Sequence, residues 1–155
     1  MRTDDHHPPP GGLLPPGDPY RRPDRATDAD VEAAGKASEA LEVIEDARGH
    51  LIAFHRLLGT ADFLFEDAAD LLEAAGRSGH AEHMRTEVVG RNVLEGRWTF
   101  QVIDEFDRTY YQVVKDAEAR IRDDLMGGVP HVYEAEMKER RRSKGVPGHE
   151  SRPPG

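Results

Sequence analysis

Apolar residues return every three or four positions along most of the chain between residues 28 and 125, a spacing that predicts helices. Ala37, Ala40, Ile44, Ala47, Leu51, Phe54 and Leu58 form one stripe. Thr27 is placed to cap it, with Asp28 and Asp30 at the positive end of the helix dipole. Gly59 is expected to end this helix, because glycine takes a left-handed turn without strain. Thr60 then reads as the cap of a second helix through Ala75, with Leu64, Ala68, Leu71, Leu72 and Ala75 on its apolar face and Gly76 as its stop. A third helix follows the short turn GRSG, begins near Ser78–His80 and uses Ala81, Met84 and Val88.

The longest stripe is Val102, Ile103, Phe106, Tyr110, Val113, Val114, Ala117, Ile121 and Leu125, broken by GGVP at 127–130. A last helix covers HVYEAEMKERRRSK, with Glu134–Lys138 and Glu136–Arg140 as i,i+4 ion pairs. Short turns imply antiparallel neighbours. The fold class that follows is all-α: an antiparallel helical bundle of about four main helices plus a C-terminal helix.

Proline sharpens the boundaries. Seven of the eleven prolines fall in the first 25 residues, and residues 24–129 contain none. A run this long without proline suits a helical core. Residues 1–26 read as a disordered Pro-rich tail, 27–145 as the bundle domain and 146–155 as a second disordered tail.

Charge narrows the partners. Residues 28–126 carry 22 acids and 11 bases, a net of −11. That sign repels phosphate backbones, so nucleic acid is disfavoured. The basic run KERRRSK at 138–144 reads as a solvated helix end, where the dipole favours cations. A helix-turn-helix could be drawn across LLEAAGRSGHAEH, but its second helix carries three acids against two arginines by residue 95. Cysteine is absent, which removes disulfides, thiolate metal sites and cysteine nucleophiles. No apolar run approaches membrane-spanning length and no secretory h-region opens the chain, so the expectation is a cytoplasmic protein without a membrane.

The stretch GRNVLEGRWTFQ, 90–101, breaks the helical pattern. Gly90 and Gly96 each cost about 1 kcal/mol inside a helix, so a break falls within 90–97 and Trp98 opens the long helix, its indole expected to bury its rings against the bundle's end near Met84 or Val88. Arg91, Asn92, Glu95, Arg97 and Trp98 are the candidate binding residues for an anionic ligand or a partner. His55 sits about 50° from the centre of the first stripe and should be largely buried, with a hydrogen-bonding partner. Asp107, flanking the apolar face of the long helix, is the expected one. His80, His83 and Glu87 lie within about 60° on a helical wheel and are the candidate metal set. Met84 and Val88 define the inward face, however, and His83 points well away from it.

No Glu-x-x-His, His-Glu-x-x-His, Walker A, GxGxxG or GxSxG pattern occurs. No catalytic residue and no cofactor is indicated. The function expected is therefore a protein-interaction or oligomerisation module, binding a protein partner or itself. The second reading is a metal- or small-ligand-binding bundle, with scope for enzymatic chemistry, built on His55, His80, His83, Glu87 and the 91–98 loop.

Overall fold

The computed structural model describes residues 12–154. Its elements are α1 (Asp28–Ala74), α2 (Ser78–Glu87), α3 (Thr99–Phe106), a π-helical segment (Asp107–Tyr111), α4 (Gln112–Met126) and α5 (Val132–Arg141). Among the described residues there is no strand; an isolated bridge between Leu94 and Arg97 closes a turn. No helix among them is long and apolar enough to cross a membrane. Two compact units form, one from residues up to Glu42 together with those from Val114, the other from Val43–Val113.

α1 corrects the expected helix count. Gly59 and Thr60 do not separate two helices; they lie inside one helix of 47 residues. The Thr60 hydroxyl, instead of capping a new helix, donates back to the Arg56 carbonyl at 3.1 Å, a bond compatible with an unbroken helix. Gly59 then costs about 1 kcal/mol relative to alanine, a penalty one residue can carry inside a long helix. The start matches the sequence pattern and adds to it. Thr27 and Asp30 cap reciprocally, Asp30 N–H to Thr27 Oγ1 at 3.1 Å and Thr27 N–H to Asp30 Oδ2 at 2.9 Å. At the other end Gly76 takes φ of +72°, and the Arg77 N–H reaches back to the Leu72 carbonyl at 2.8 Å.

The first unit packs Val31 and Ala34 of α1 against Met126 and Val132. Gly35 is required there: a Cβ would stand 2.9 Å from the Tyr133 ring. The composition of residues 1–26 pointed to a tail. Residues 1–11 lie outside the described residues, whereas from Gly12 onward the chain makes turns that bury Leu14, Asp18 and Arg22. Arg22 is the reason. Its guanidinium donates to Glu136 of α5 through Nε and Nη2, both at 2.6 Å, and reaches Asp28 at 2.7 Å. The Arg22 and Glu136 side chains are 4 % and 2 % exposed. Glu136 is thus a buried anchor as well as the partner of Arg140, which stands 3.8 Å away. The other bases of the 138–144 run are largely engaged locally, with Arg142 and Lys144 both paired to Glu139. Residues 146–154 are exposed.

In the second unit, Ala69 of α1 and Ala81 of α2 are fully buried, and Arg85 of α2 reaches Asp70 of α1 at 2.7 Å. α3, the π-helical segment and α4 follow one another without interruption, and the π turn resets the apolar register. Tyr110, Val113 and Ile121, expected inward, are exposed. Val114 and Leu125 of that stripe are half-buried as expected, and one residue after Tyr110 and Ile121 so are Tyr111 and Arg122. A stripe counted at a constant 3.6 residues per turn cannot register the extra residue that a π turn inserts.

Candidate functional site

The helix break expected in 90–97 is a loop, running from the end of α2 to Trp98, and three polar contacts tie it down. The Gly90 N–H donates to Asp62 Oδ1 of α1 at 2.8 Å, and the Trp98 indole N–H donates to the Gly90 carbonyl at 3.1 Å. At the loop's end His55 Nδ1 and Thr99 Oγ1 lie 2.6 Å apart, with Thr99 buried. Gly90 and Gly96 hold φ of +73° and +68°, which explains why glycine occupies both positions. Trp98 precedes the first residue of α3, and its backbone N–H donates to Gln101 Oε1 at 2.8 Å.

These anchors hold the loop against α1 so as to leave a groove of about 530 Å³ lined by Leu58, Ala61, Asp62, Phe63, Phe65, Val88, Arg91, Asn92, Val93, Trp98 and Thr99. Its wall is mainly apolar, and much of that wall faces solvent: Phe63 is 70 % exposed and Trp98 45 %. The indole was expected to bury its rings against the end of the bundle. It is held by its N–H and stays half in water.

The structure brings together some of the sequence candidates and separates the others. Arg91, Asn92 and Trp98 line the groove; Glu95 and Arg97 do not. Arg97 turns away to Glu105 on α3, and its guanidinium also bonds the Glu95 carbonyl at 3.2 Å. His55 stands behind the groove through Thr99, so Asp107 is not its partner. Asp107 is held by Arg48, a residue whose positive charge and forked donors suit a carboxylate better than an imidazole does. His80, His83 and Glu87 do not assemble: among the described residues no three His, Cys, Asp or Glu side chains are grouped to hold a metal ion.

Phe63 and Phe65 are the groove residues that the stripe reading left out of the site. Their signal was in the sequence. Two aromatics about 200° apart on one helix cannot both face a single core, and here both lie along the groove, on either side of Asp62 on the helical wheel.

The groove's polar groups are mostly committed. Asp62 accepts from Gly90, Thr99 meets His55, and Arg91 lies 3.6 Å from Glu87. What the groove presents to an incoming group is therefore chiefly aromatic and aliphatic surface, with Asn92 and the Glu87-paired Arg91 among its lining residues. Comparison with protein-family models, with curated proteins and with solved structures finds no match to this chain.

Proposed function

We propose that this chain is a protein-interaction module whose groove between α1 and the 88–98 loop takes an apolar segment of a protein partner. The exposure of Phe63 beside Phe65 and Trp98, in a groove already formed, carries the reading. Aromatic side chains left in water at a concave surface lose apolar hydration when a partner covers them, and such residues dominate the affinity of protein interfaces. A short amphipathic helix with two or three apolar anchors matches the groove's chemistry. A polar small molecule matches it less well, since most of the groove's polar groups already serve the loop. In this reading the scaffold is an antiparallel bundle, a geometry favoured by the three-residue connection between α1 and α2.

Site-specific photo-crosslinking in the producing cell tests the proposal. A photoreactive residue at position 63 is expected to capture a discrete protein, whereas one at position 82, on the exposed side of α2, captures none. Equal capture at both positions, or none at 63, would sink it.

A further inference from the structure

The groove has a sign as well as an apolar wall. Two of its lining residues are charged, Asp62 and Arg91. Arg91 lies 3.6 Å from Glu87, so its charge is offset next to its own loop. Asp62 is half-buried, and its partner is a neutral group, the Gly90 N–H, which donates to Oδ1 at 2.8 Å. A backbone N–H favours the ionised carboxylate and leaves its charge in place.

Glu66 adds to that charge. It stands about 40° from Asp62 and about 60° from Phe63 on the helical wheel, on the face of α1 that forms the groove. Helical side chains lean toward the N-terminus, so that of Glu66 leans toward the turn that holds Asp62 and Phe63. Glu66 is exposed. Arg48, Arg85 and Arg97 hold other carboxylates, and Arg56, Arg77 and Arg108 do not line the groove. Arg56, the nearest base along α1, falls about 120° from Asp62, beyond Phe63. Among the described residues neither Asp62 nor Glu66 is paired with a cation.

We infer that the segment seated in this groove is cationic, an amphipathic helix that sets a lysine or arginine beside its apolar anchors and against Asp62 and Glu66. The inference rests on the reading of the groove as the seat of an apolar partner segment. The aromatic wall suits such a side chain along its whole length. Its methylene stem packs on Phe63 while its charged head reaches Glu66, three residues further along the helix. Ring faces attract the same head that the carboxylates do. An acidic segment meets the opposite situation, like charges brought together in a groove that loses water as it fills.

The chain has one tryptophan and it lies in the groove, so its emission reads occupancy. The probes are two tryptophan-free synthetic peptides of about 14 residues, long enough for nearly four helical turns. Both carry the same leucine face, and lysine in one and glutamate in the other fill the polar face. The lysine peptide is expected to shift the emission of the full chain to shorter wavelength and to bind about tenfold more tightly than the glutamate peptide at low salt. Glu66→Lys is expected to weaken the lysine peptide about fivefold and to strengthen the glutamate peptide. Equal affinity for the two peptides, or a lysine peptide indifferent to Glu66→Lys, overturns the inference and leaves the groove reading standing. Phe63→Ser is expected to abolish the shift with either peptide. Binding of the lysine peptide that survives Phe63→Ser unchanged is a diffuse attraction to the acidic surface, and it overturns both readings. Emission that neither peptide moves overturns both as well.

Discussion

Arg48 of α1 holds Asp107 with two parallel hydrogen bonds, Nε to Oδ1 at 2.7 Å and Nη2 to Oδ2 at 2.8 Å, at the first residue of the π-helical segment. The guanidinium also lies 5.2 Å from the centre of the Tyr111 ring, whose hydroxyl donates to Glu45. One cation thus fixes both ends of the π turn. The carboxylate beside it raises the Arg48 pKa further above its ordinary value. Replacing Arg48 with Met or Asp107 with Leu should each lower the melting temperature. The double variant should lose less than the two single losses added together, because neither partner is then left half-buried without the other. Additive losses in the double-mutant cycle would show that the fork is not a coupled pair.

The buried pair Arg22–Glu136 leads to a stronger prediction. Removing Arg22 strips the enclosed Glu136 carboxylate of its two close donors and leaves it only Arg140, 3.8 Å away, a loss of about 3–5 kcal/mol. Arg22→Ala, and equally a chain starting at residue 27, should unfold at distinctly lower denaturant concentration than the full chain. Equal midpoints for the chain starting at 27 and the full chain would make the 12–26 segment dispensable.

How much of this was legible in the sequence depends on the range of each interaction. Helix stops at Gly76 and at 127–128 could be read locally, because a positive φ favours glycine wherever the chain turns. Gly59 carried the same letter without the same conformation, and the Thr60 hydroxyl that turned back to Arg56 has the same chemistry as one that caps. Arg22 and Glu136 are 114 positions apart, and no periodicity connects them. For the groove, the loop residues Arg91, Asn92 and Trp98 were visible as a break in pattern. Phe63 and Phe65 stood out only as aromatics that one core could not accommodate. The pairing of His55 was missed because burial implies a partner without naming it; Thr99 is adjacent to Trp98 and was read as part of the helix start.

Trp98 tests the loop. A fully enclosed tryptophan costs about 3–5 kcal/mol when cut to alanine. This one is nearly half exposed and keeps one hydrogen bond, to Gly90, so Trp98→Ala should cost about 2 kcal/mol. The free protein's fluorescence should be that of a partly hydrated indole, shifting to shorter wavelength when a partner fills the groove. A fully blue-shifted emission in the free protein would contradict the half-exposed placement.

The N-terminal cap of α1 gives a pH dependence. The backbone N–H of Thr27, with its hydroxyl, holds the Asp30 carboxyl below its ordinary value. A depressed folded-state pKa contributes stability that is present above the unfolded value, near 4, and lost as pH falls through the folded one. The gap in melting temperature between the native chain and Asp30→Asn should therefore stay constant from about pH 8 to 5 and narrow below about pH 4. A gap that is unchanged at pH 2 would mean that the carboxylate charge plays no part in the cap.

The π-helical segment makes the most discriminating prediction. A π turn is one residue more than an α turn needs, and in this chain it moves inward positions on by one at two places. Tyr111 replaces Tyr110, and Arg122 replaces Ile121, on the side that packs. Deleting Thr109 should convert the segment to regular α-helix while keeping Tyr111 and Arg122 at inward positions, since a constant 3.6-residue count would then reach them. Thr109 itself only donates back to the Glu105 carbonyl at 2.6 Å, a bond the regular helix does not need. Deletion of Ala117, inside α4, removes one residue where no surplus exists and rotates the rest of the helix by about 100°. Both variants keep the same length and nearly the same composition. The Thr109 deletion should retain cooperative melting within a few degrees of the native chain, and the Ala117 deletion should lose it. If both melt alike, the π turn is not what sets the register, and the inward placement of Tyr111 needs another cause.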